Sequence, residues 1–179
     1  MKVLVACEES QAVCIAFRQL GHEAFSCDTQ ECSGGHPEWH IKGDVLPLIN
    51  GNKPFITMDG ELHAIVGTWD LLIAFPPCTY LTNAGSVRLR VKGEINKERM
   101  AKAIEAKAFF MKFLEADCQK ICVENPTPGR IHQLPEYTQA IQPWWFGHPY
   151  TKRTCLWLKK LPPPPYSYGY YSGRSYPVC

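Results

Sequence analysis

Short apolar runs separated by polar or turn residues define the first part of the chain. Residues 2–7 (KVLVAC) form a run rich in β-branched side chains, which is typical of a first strand. Apolar residues spaced through 12–20 predict a helix, and Gly21 follows as its C-cap. A second run at 22–27 ends on Asp28. This order predicts a βαβ unit of the kind found in nucleotide-binding folds.

The same pattern recurs further along. Residues 71–75 (LLIAF) predict a strand buried on both faces, and Pro76-Pro77 end it because proline cannot donate to a sheet ladder. Apolar spacing of three or four predicts a helix over 98–116. Shorter runs predict strands over 119–123 and 151–158. We therefore expect an α/β, Rossmann-like, mostly parallel sheet with helices on both faces.

Length and composition set the broad class. The chain has 179 residues and favours one domain over 1–160, followed by a Pro/Tyr-rich tail over 161–179 that we expect to be extended or disordered. It shows no membrane-length apolar run and no export signal, so we expect no membrane association. Nine cysteines without a disulfide spacing predict reduced thiols in a cytoplasm. The net charge of +2 makes no bulk argument for nucleic acid.

Cys78 follows directly after the predicted buried strand and its two prolines. Open α/β sheets build their ligand sites beyond the carboxyl ends of their strands. A thiol on a rigid turn at that place is a candidate nucleophile. The alternative is a buried thiol that serves only as a small apolar side chain.

Acidic residues stand at the ends of the early strands. Asp28 is placed to accept the hydroxyls of a ribose, and Asp44 to hold the exocyclic amine of an adenine. The first turn, Ala6-Cys7-Glu8-Glu9-Ser10, lacks the glycines that let a backbone approach a pyrophosphate, and its two carboxylates would repel one. A cationic ligand such as S-adenosylmethionine fits this turn better. Alternatively, Glu8 and Glu9 belong to a solvated first helical turn.

Two polar segments leave their alternatives open. Residues 82–97 carry Arg88, Arg90, Lys92 and Lys97 and predict either a loop that closes over an anionic substrate or a solvated surface. Cys27, just before the loop of residues 29–44, and three side chains in that loop, Cys32, His36 and His40, are spaced loosely like zinc ligands. No Cys-x-x-Cys pair accompanies them, so we favour a ligand-lining or structural loop, which also carries Trp39, and expect no metal.

The order of motifs resembles that of the cytosine-5 methyltransferases, including short methylase-like proteins of phages and prophages. The strongest match is Pro76-Pro77-Cys78, which is similar to the family's Pro-Pro-Cys turn. Weaker matches are Glu124-Asn125-Pro126 to Glu-Asn-Val, residues 151–156 (TKRTCL) to Gln-x-Arg-x-Arg-Leu, and Gly43-Asp44-Val45 to Gly-Asp-Ile. The family's Phe-x-Gly-x-Gly turn is absent, and the interval between Glu124 and Arg153 is too short for its target-recognition domain.

The resemblance implies a class I methyltransferase-like fold and a bacterial or phage-infected cell as the setting. It implies that Cys78 adds to carbon-6 of a pyrimidine, cytosine first of all, that protonated Glu124 bonds N3, and that Arg153 holds the base carbonyl or a phosphate. The cofactor would be S-adenosylmethionine. The expected cofactor-binding residues are Cys7, Glu8, Ser10, Asp28, Asp44 and Pro76. The expected substrate-binding residues are Pro77, Thr79, Asn125, Arg88 and Arg90.

The substrate expected from these features is a pyrimidine in DNA, single-stranded or presented by a partner protein, or a free nucleotide. Two other classes stay open. One is a nucleotide- or nucleic-acid-binding protein that kept the core but lost methyl transfer. The other is a different enzyme that acts on a nucleotide or base without the methyl donor.

Overall fold

The structure is a computed structural model and describes residues 1–91 and 93–165. Lys92 and most of the predicted tail, residues 166–179, lie outside the described residues. In the described part, seven strands form the main sheet: β1 (Lys2–Ala6), β2 (Glu23–Asp28), β3 (His40–Lys42), β6 (Leu71–Ala74), β9 (Lys120–Pro126), β10 (Gln139–Ile141) and β11 (Thr154–Lys159). Four further strands form two small hairpins: β4 (Pro54–Ile56) with β5 (Leu62–Ala64), and β7 (Arg90–Val91) with β8 (Glu94–Ile95).

The strand order confirms the predicted fold class. Across the sheet the order is β3-β2-β1-β6-β9-β11-β10. The first five strands are parallel to one another, and β11 runs antiparallel between β9 and β10. This is the dinucleotide-fold order with a last strand inserted antiparallel near one edge. The chain therefore has an α/β, Rossmann-like, mostly parallel sheet.

The helices of the described residues are α1 (Ala12–Gln19), α2 (Asn83–Ser86) and α3 (Lys97–Leu114). Two of them, α1 and α3, cover opposite faces of the sheet. Successive side chains of a strand point to opposite faces, so apolar strands need cover on both. Phe110 and Phe113 of α3 are fully buried in the same core as Leu4 and Leu72. Each such phenylalanine contributes roughly 1.5–3 kcal/mol of burial free energy. On the opposite face, Cys14 of α1 belongs to a separate smaller core.

The observed strands and helices extend beyond the predicted bounds where polar residues belong to a strand or a helix. β9 was expected to end at Val123 but runs to Pro126, because Glu124 pairs with Leu156 of the neighbouring β11. The predicted polar loop at 82–97 contains α2 and the β7–β8 hairpin. Short 3-10 helices at Pro37–Trp39, Val87–Leu89, Arg130–His132 and Pro143–Phe146 complete the described elements.

The start of the predicted tail crosses back over the sheet. Leu161 packs on the α1 side of the sheet beside Ile73 and Phe75. The side-chain amide of Gln139 donates to the Pro164 carbonyl at 3.0 Å. Within the described ranges, no helix has the length and apolar character needed to cross a bilayer.

Candidate functional site

The parallel pairing of β6 with β9 brings two predicted motifs to one edge of the sheet. Ala74, the last residue of β6, is paired with Val123. The Pro76-Pro77-Cys78 turn therefore follows β6 at the level where β9 carries Glu124. Beyond the paired strands, Asn83 donates its amide to the Thr127 carbonyl at 2.8 Å, and Gly129 donates to the Leu81 carbonyl at 2.8 Å. The two segments run side by side past the end of the sheet.

Backbone hydrogen bonds define the Cys78 turn. The Cys78 carbonyl accepts from the amides of Leu81 at 3.0 Å and Thr82 at 3.1 Å. Arg99 of α3 donates through its guanidinium to the Thr79 and Gly85 carbonyls, each at 3.3 Å. The Cys78 side chain is half-buried, and within the described ranges its thiol has no hydrogen-bonding partner. The turn is held by its backbone, which leaves the thiol uncommitted.

The other three predicted residues of this turn differ in exposure. Pro76 is buried, whereas Pro77 and Thr79 are exposed. Pro76 therefore anchors the turn to the core. Pro77 and Thr79 lie where a substrate can reach them.

Glu124 is a half-buried acid inside a strand rather than beyond its end. Burial raises the pKa of its carboxyl above the ordinary value, and the charge of Lys152 partly offsets this rise. Among the described residues no hydrogen bond stabilises the carboxylate. Since the raised pKa favours the protonated carboxyl, Glu124 is suited to donate a hydrogen bond.

Glu124 opens into a depression of about 510 Å³ that we call the aromatic cleft. Its lining residues are Phe75, Glu124, Ile141, Pro143, Phe146, His148, Tyr150, Lys152 and Thr154. Phe146 and Tyr150 are exposed by 47% and 54%, so both rings are available to a ligand. Cys78 is not among the lining residues and follows Phe75 by three positions. The cleft combines aromatic walls with one acid and one lysine.

Asn125 points away from the cleft and is fully buried. Its side-chain amide donates to the Pro126 carbonyl. Its Oδ1 has no hydrogen-bonding partner in the described structure. A buried polar atom without a partner costs roughly 1–3 kcal/mol, so this strand end is not optimised for stability alone.

Arg153 does not take the place expected for it beside the base pocket. It precedes β11, and its guanidinium donates to the Tyr137 hydroxyl at 2.7 Å and lies 5.7 Å from the centre of that ring. The neighbouring Lys152 lines the cleft instead, and its charge lowers the pKa of Glu124. Successive side chains of an extended chain point to opposite faces, which explains why Lys152 and not Arg153 faces the cleft.

Three predicted cofactor residues are grouped at the ends of β1, β2 and β3. Burial, together with the charges of Asp28 and Asp44, raises the pKa of the Cys7 thiol to about 12. Asp28 Oδ1 accepts the Gln30 amide at 2.9 Å, and Asp44 Oδ1 accepts the Leu46 amide at 3.0 Å. Each aspartate uses one oxygen to shape its own turn. This end of the sheet is acidic.

Glu8 fits neither of the two predictions for the first turn, which were a site for a cationic ligand and a solvated helical turn. Its side chain is only 5% exposed, and its two carboxylate oxygens accept the amides of Val13 at 2.6 Å and Cys14 at 3.2 Å. Glu8 thereby caps α1 and is neither solvated nor turned towards a ligand. The N-cap of α1 is Gln11, with φ +59°. Ser10, an expected cofactor-binding residue, accepts the Ala12 amide through its Oγ at 3.4 Å.

The loop that follows β2 closes onto this first turn. The Gln11 side chain donates to the His36 carbonyl at 2.8 Å and accepts the His36 amide at 3.1 Å. The Ser33 amide donates to the Glu9 carbonyl at 2.9 Å, and the Ser33 hydroxyl donates to the Glu9 carboxylate. A Cβ on Gly34 would lie 2.6 Å from the Ser10 carbonyl oxygen, so only glycine fits there. The loop is structural at this point of contact.

The zinc interpretation of the same loop finds no support. His40 is buried and its ring bonds the Ser26 hydroxyl at 2.8 Å and the Gln30 carbonyl at 3.0 Å. His36 stacks on Trp39, with ring centroids 3.9 Å apart. Across residues 1–91 and 93–165, no three His, Cys, Asp or Glu side chains are grouped closely enough to hold a metal ion.

The structure adds functional candidates that sequence reasoning missed. Phe146, His148 and Tyr150 line the cleft and come from the stretch between the predicted strands over 119–123 and 151–158, and Lys152 comes from the second of these predicted strands. Their signal in the sequence is a cluster of aromatic side chains outside any apolar period, next to cations. Arg88 and Arg90, which were expected to contact substrate, are exposed beside the second depression described below.

Comparisons with known proteins give a distant match only. No family model and no curated protein matches the sequence. Among solved structures, the chain is similar to an rRNA methylase from Escherichia coli, at 16% identity and a TM-score of 0.42, over 89% of this chain. The chain spans 57% of the length of that protein. A likeness at this level assigns no function, so the functional argument rests on the residues of the site.

Proposed function

We propose that the protein is an S-adenosylmethionine-dependent methyltransferase that acts on carbon-5 of a pyrimidine, cytosine first of all, through a covalent adduct of Cys78. The observation that carries the proposal is the half-buried Glu124, with its raised pKa, on the strand paired with the one that leads into the Cys78 turn. An acid whose raised pKa favours the protonated form and a thiol without a hydrogen-bonding partner, on neighbouring strands of the sheet, are the two groups that addition to a pyrimidine ring requires.

The aromatic cleft is suited to hold the target base. Phe146 and Tyr150 offer exposed rings on which a base can stack. The protonated Glu124 carboxyl donates to N3 and stabilises the electron density that develops on the ring when carbon-6 is attacked. Lys152 supplies a cation for the base carbonyl or a phosphate, the role that the sequence suggested for Arg153.

The proposed reaction regenerates the free Cys78 thiolate at its end. The Cys78 thiolate forms an Sγ–carbon-6 bond, which makes carbon-5 nucleophilic. S-adenosylmethionine, when bound, would supply a methyl group that carbon-5 takes from the sulfonium, so that the sulfonium–methyl bond breaks and S-adenosylhomocysteine leaves. A base then removes the carbon-5 proton, the electron pair restores the ring double bond, and the Sγ–carbon-6 bond breaks to release Cys78.

The cofactor residues fit in part. Asp28 would hold the ribose hydroxyls and Asp44 the adenine amine, because each keeps one carboxylate oxygen outside the turn hydrogen bonds shown for it. The acidic edge around Cys7 suits a cationic ligand. Glu8 is removed from the set because it caps α1.

The test is transfer of a tritiated methyl group from S-adenosylmethionine to single-stranded DNA, duplex DNA, RNA and pyrimidine nucleotides. We expect transfer to at least one of these acceptors, and calorimetric binding of the cofactor that weakens in Asp28→Ala. Absence of transfer to every acceptor, together with absence of cofactor binding, contradicts the proposal.

A second candidate is a nucleotide- or nucleic-acid-binding protein without methyl transfer. The closed first turn favours it, because the loop carrying Gly34 packs where open folds of this class leave room for a cofactor. This candidate predicts that Cys78→Ser leaves binding and function intact. Detection of any methylated product separates the two.

A further inference from the structure

A second depression, of about 660 Å³, lies next to α2 and the segment that follows β9. We call it the arginine groove. Its lining residues are Asn83, Ser86, Val87, Leu89, Arg90, Thr127, Pro128, Arg130 and Ile131. The sequence indicated a basic segment here but not a groove, because Arg130 comes from a distant part of the chain.

The charge of the arginine groove has one sign. Arg90 and Arg130 are both exposed, and no carboxylate is among the lining residues. Asn83, Ser86 and Thr127 add an amide and two hydroxyls. Guanidinium groups with neutral hydrogen-bonding side chains form the usual environment for a phosphate.

Close packing builds the floor of the arginine groove. A Cβ on Gly129 would overlap the Ser86 Oγ, so α2 approaches this segment only because residue 129 is glycine. The Ser86 hydroxyl donates to the Thr82 carbonyl at 2.9 Å and lies 3.0 Å from the His132 Nε2. Since His132 is buried, these bonds hold α2 against the 3-10 helix Arg130–His132. The groove is preformed.

The arginine groove continues from the aromatic cleft along two chain segments. One segment leads from Phe75 in the cleft through Cys78 to Asn83 in the groove, and the other from Glu124 to Thr127. The segments are joined by the bridge between Thr82 and Pro128. Three extended residues span roughly 10 Å, so the groove lies about that far from Glu124.

We propose that the arginine groove binds a backbone phosphate of a single-stranded polynucleotide whose target base occupies the aromatic cleft. The identity of the base rests on the proposed function. In a mononucleotide the phosphate is attached to the sugar of the target base itself. A phosphate site separated from the base cleft suits instead the phosphate of a neighbouring nucleotide in a polynucleotide. A base within a duplex would first have to be extruded, whereas a single strand presents its bases unpaired.

The experiment measures the binding of a fluorescent 12-nucleotide pyrimidine-rich single strand by anisotropy at several salt concentrations. The test variant is Arg90→Ala with Arg130→Ala. The matched control is Lys53→Ala with Lys112→Ala, which removes the same charge from two exposed positions outside the groove and the cleft. Competition by unlabelled duplex and by cytidine monophosphate tests the other two occupants.

We expect the test variant to bind at least about tenfold more weakly at low salt. The slope of log K against log[salt] should fall by about 0.7, because the loss of one phosphate contact on a single strand removes about 0.7. The control should keep the wild-type slope, and Arg90→Lys with Arg130→Lys should restore most of it. Equal behaviour of test and control variants overturns the inference, as does tighter binding of duplex than of single strand.

The methyl-transfer assay separates this inference from the proposed function. The test variant should lose transfer to the 12-mer through a raised KM, whereas Lys53→Ala with Lys112→Ala should keep the wild-type KM. Transfer without arginine dependence contradicts the groove alone. Arginine-dependent binding without transfer to any acceptor contradicts the proposed function alone.

Discussion

The two halves of the sheet end in opposite ways. At the ends of β1 and β2, polar groups satisfy one another: Glu8 caps α1, and Gln11 exchanges two hydrogen bonds with His36. At the ends of β6 and β9, the Glu124 carboxyl and Asn125 Oδ1 have no hydrogen-bonding partner in the described structure. The first half is closed by its own loop. The second half opens into the aromatic cleft and the arginine groove.

This contrast separates stability from function. Folding alone favours the satisfied arrangement, since each unpaired buried polar group costs roughly 1–3 kcal/mol. Asn125 Oδ1 is such a group beside Glu124, whereas the carboxylate of Glu8, an acid that is also buried, is paired with two backbone amides. The same residue type therefore has two roles in this account: Glu8 holds a helix, and we propose that Glu124 binds a ligand.

The largest expected effect comes from removing the acid of the open half. Glu124→Ala should lower methyl transfer by roughly 10²–10⁴-fold, because the hydrogen bond to N3 is lost in the transition state. Glu124→Gln should lose less, since its amide is still a donor. Wild-type transfer should fall as pH rises through the raised pKa of Glu124, and Glu124→Gln should not follow that fall. Single-turnover rates between pH 5 and 9 measure this.

Equal rates for wild type and Glu124→Ala would place the chemistry elsewhere. The matched control is an acid of the closed half. Glu8→Ala should keep the wild-type rate per folded molecule.

Glu8→Ala should instead lower the free energy of unfolding by about 1–2 kcal/mol. The change leaves the amides of Val13 and Cys14 without their acceptor, which is the cost of losing a helix cap. Urea unfolding at neutral pH measures it. Unchanged stability would show that the first turn is not held in the way described.

The smallest expected effect is a pH-dependent difference in melting temperature between wild type and Glu124→Gln. A carboxyl whose pKa is raised in the folded state loses stability as pH rises from its ordinary 4.5 through the raised value, because the folded state then holds the extra proton. Near pH 7, Glu124→Gln should therefore melt a few degrees above wild type. The gap should close below pH 4.5. A gap independent of pH would contradict the raised pKa.

Apolar patterning predicts most of the framework, but not the polar contacts across it. The runs that became β1, β2 and β6 are visible because strands buried on both faces are almost continuously apolar. The helix α3 is visible because burial selects side chains at every third and fourth position. The end of β9 was missed because Glu124-Asn125-Pro126 looks like a loop until β11 pairs with it. Only the tertiary structure shows that pairing.

The sequence predicts which strands contribute to the candidate site, but not which face each side chain takes. Strand ends converge, so Cys78 and Glu124 follow from the order of motifs. The choice between Lys152 and Arg153 depends on which face of the chain each side chain takes, and a one-residue shift reverses it. The role of Glu8 depends on the backbone of Cys7 and Gln11, whose φ values of +58° and +59° no sequence pattern indicates.

The most direct test of a nucleophilic Cys78 in the open half is covalent trapping. A single strand that carries 5-fluorocytosine is incubated with the protein and S-adenosylmethionine, because fluorine on carbon-5 cannot leave as a cation and the Sγ–carbon-6 bond then persists. Intact mass should show protein joined to methylated oligonucleotide, with the modified peptide containing Cys78. The adduct should be absent in Cys78→Ser and present in Cys32→Ser, a change at another half-buried cysteine. No adduct under conditions of methyl transfer, or an adduct on a different cysteine, would contradict the account.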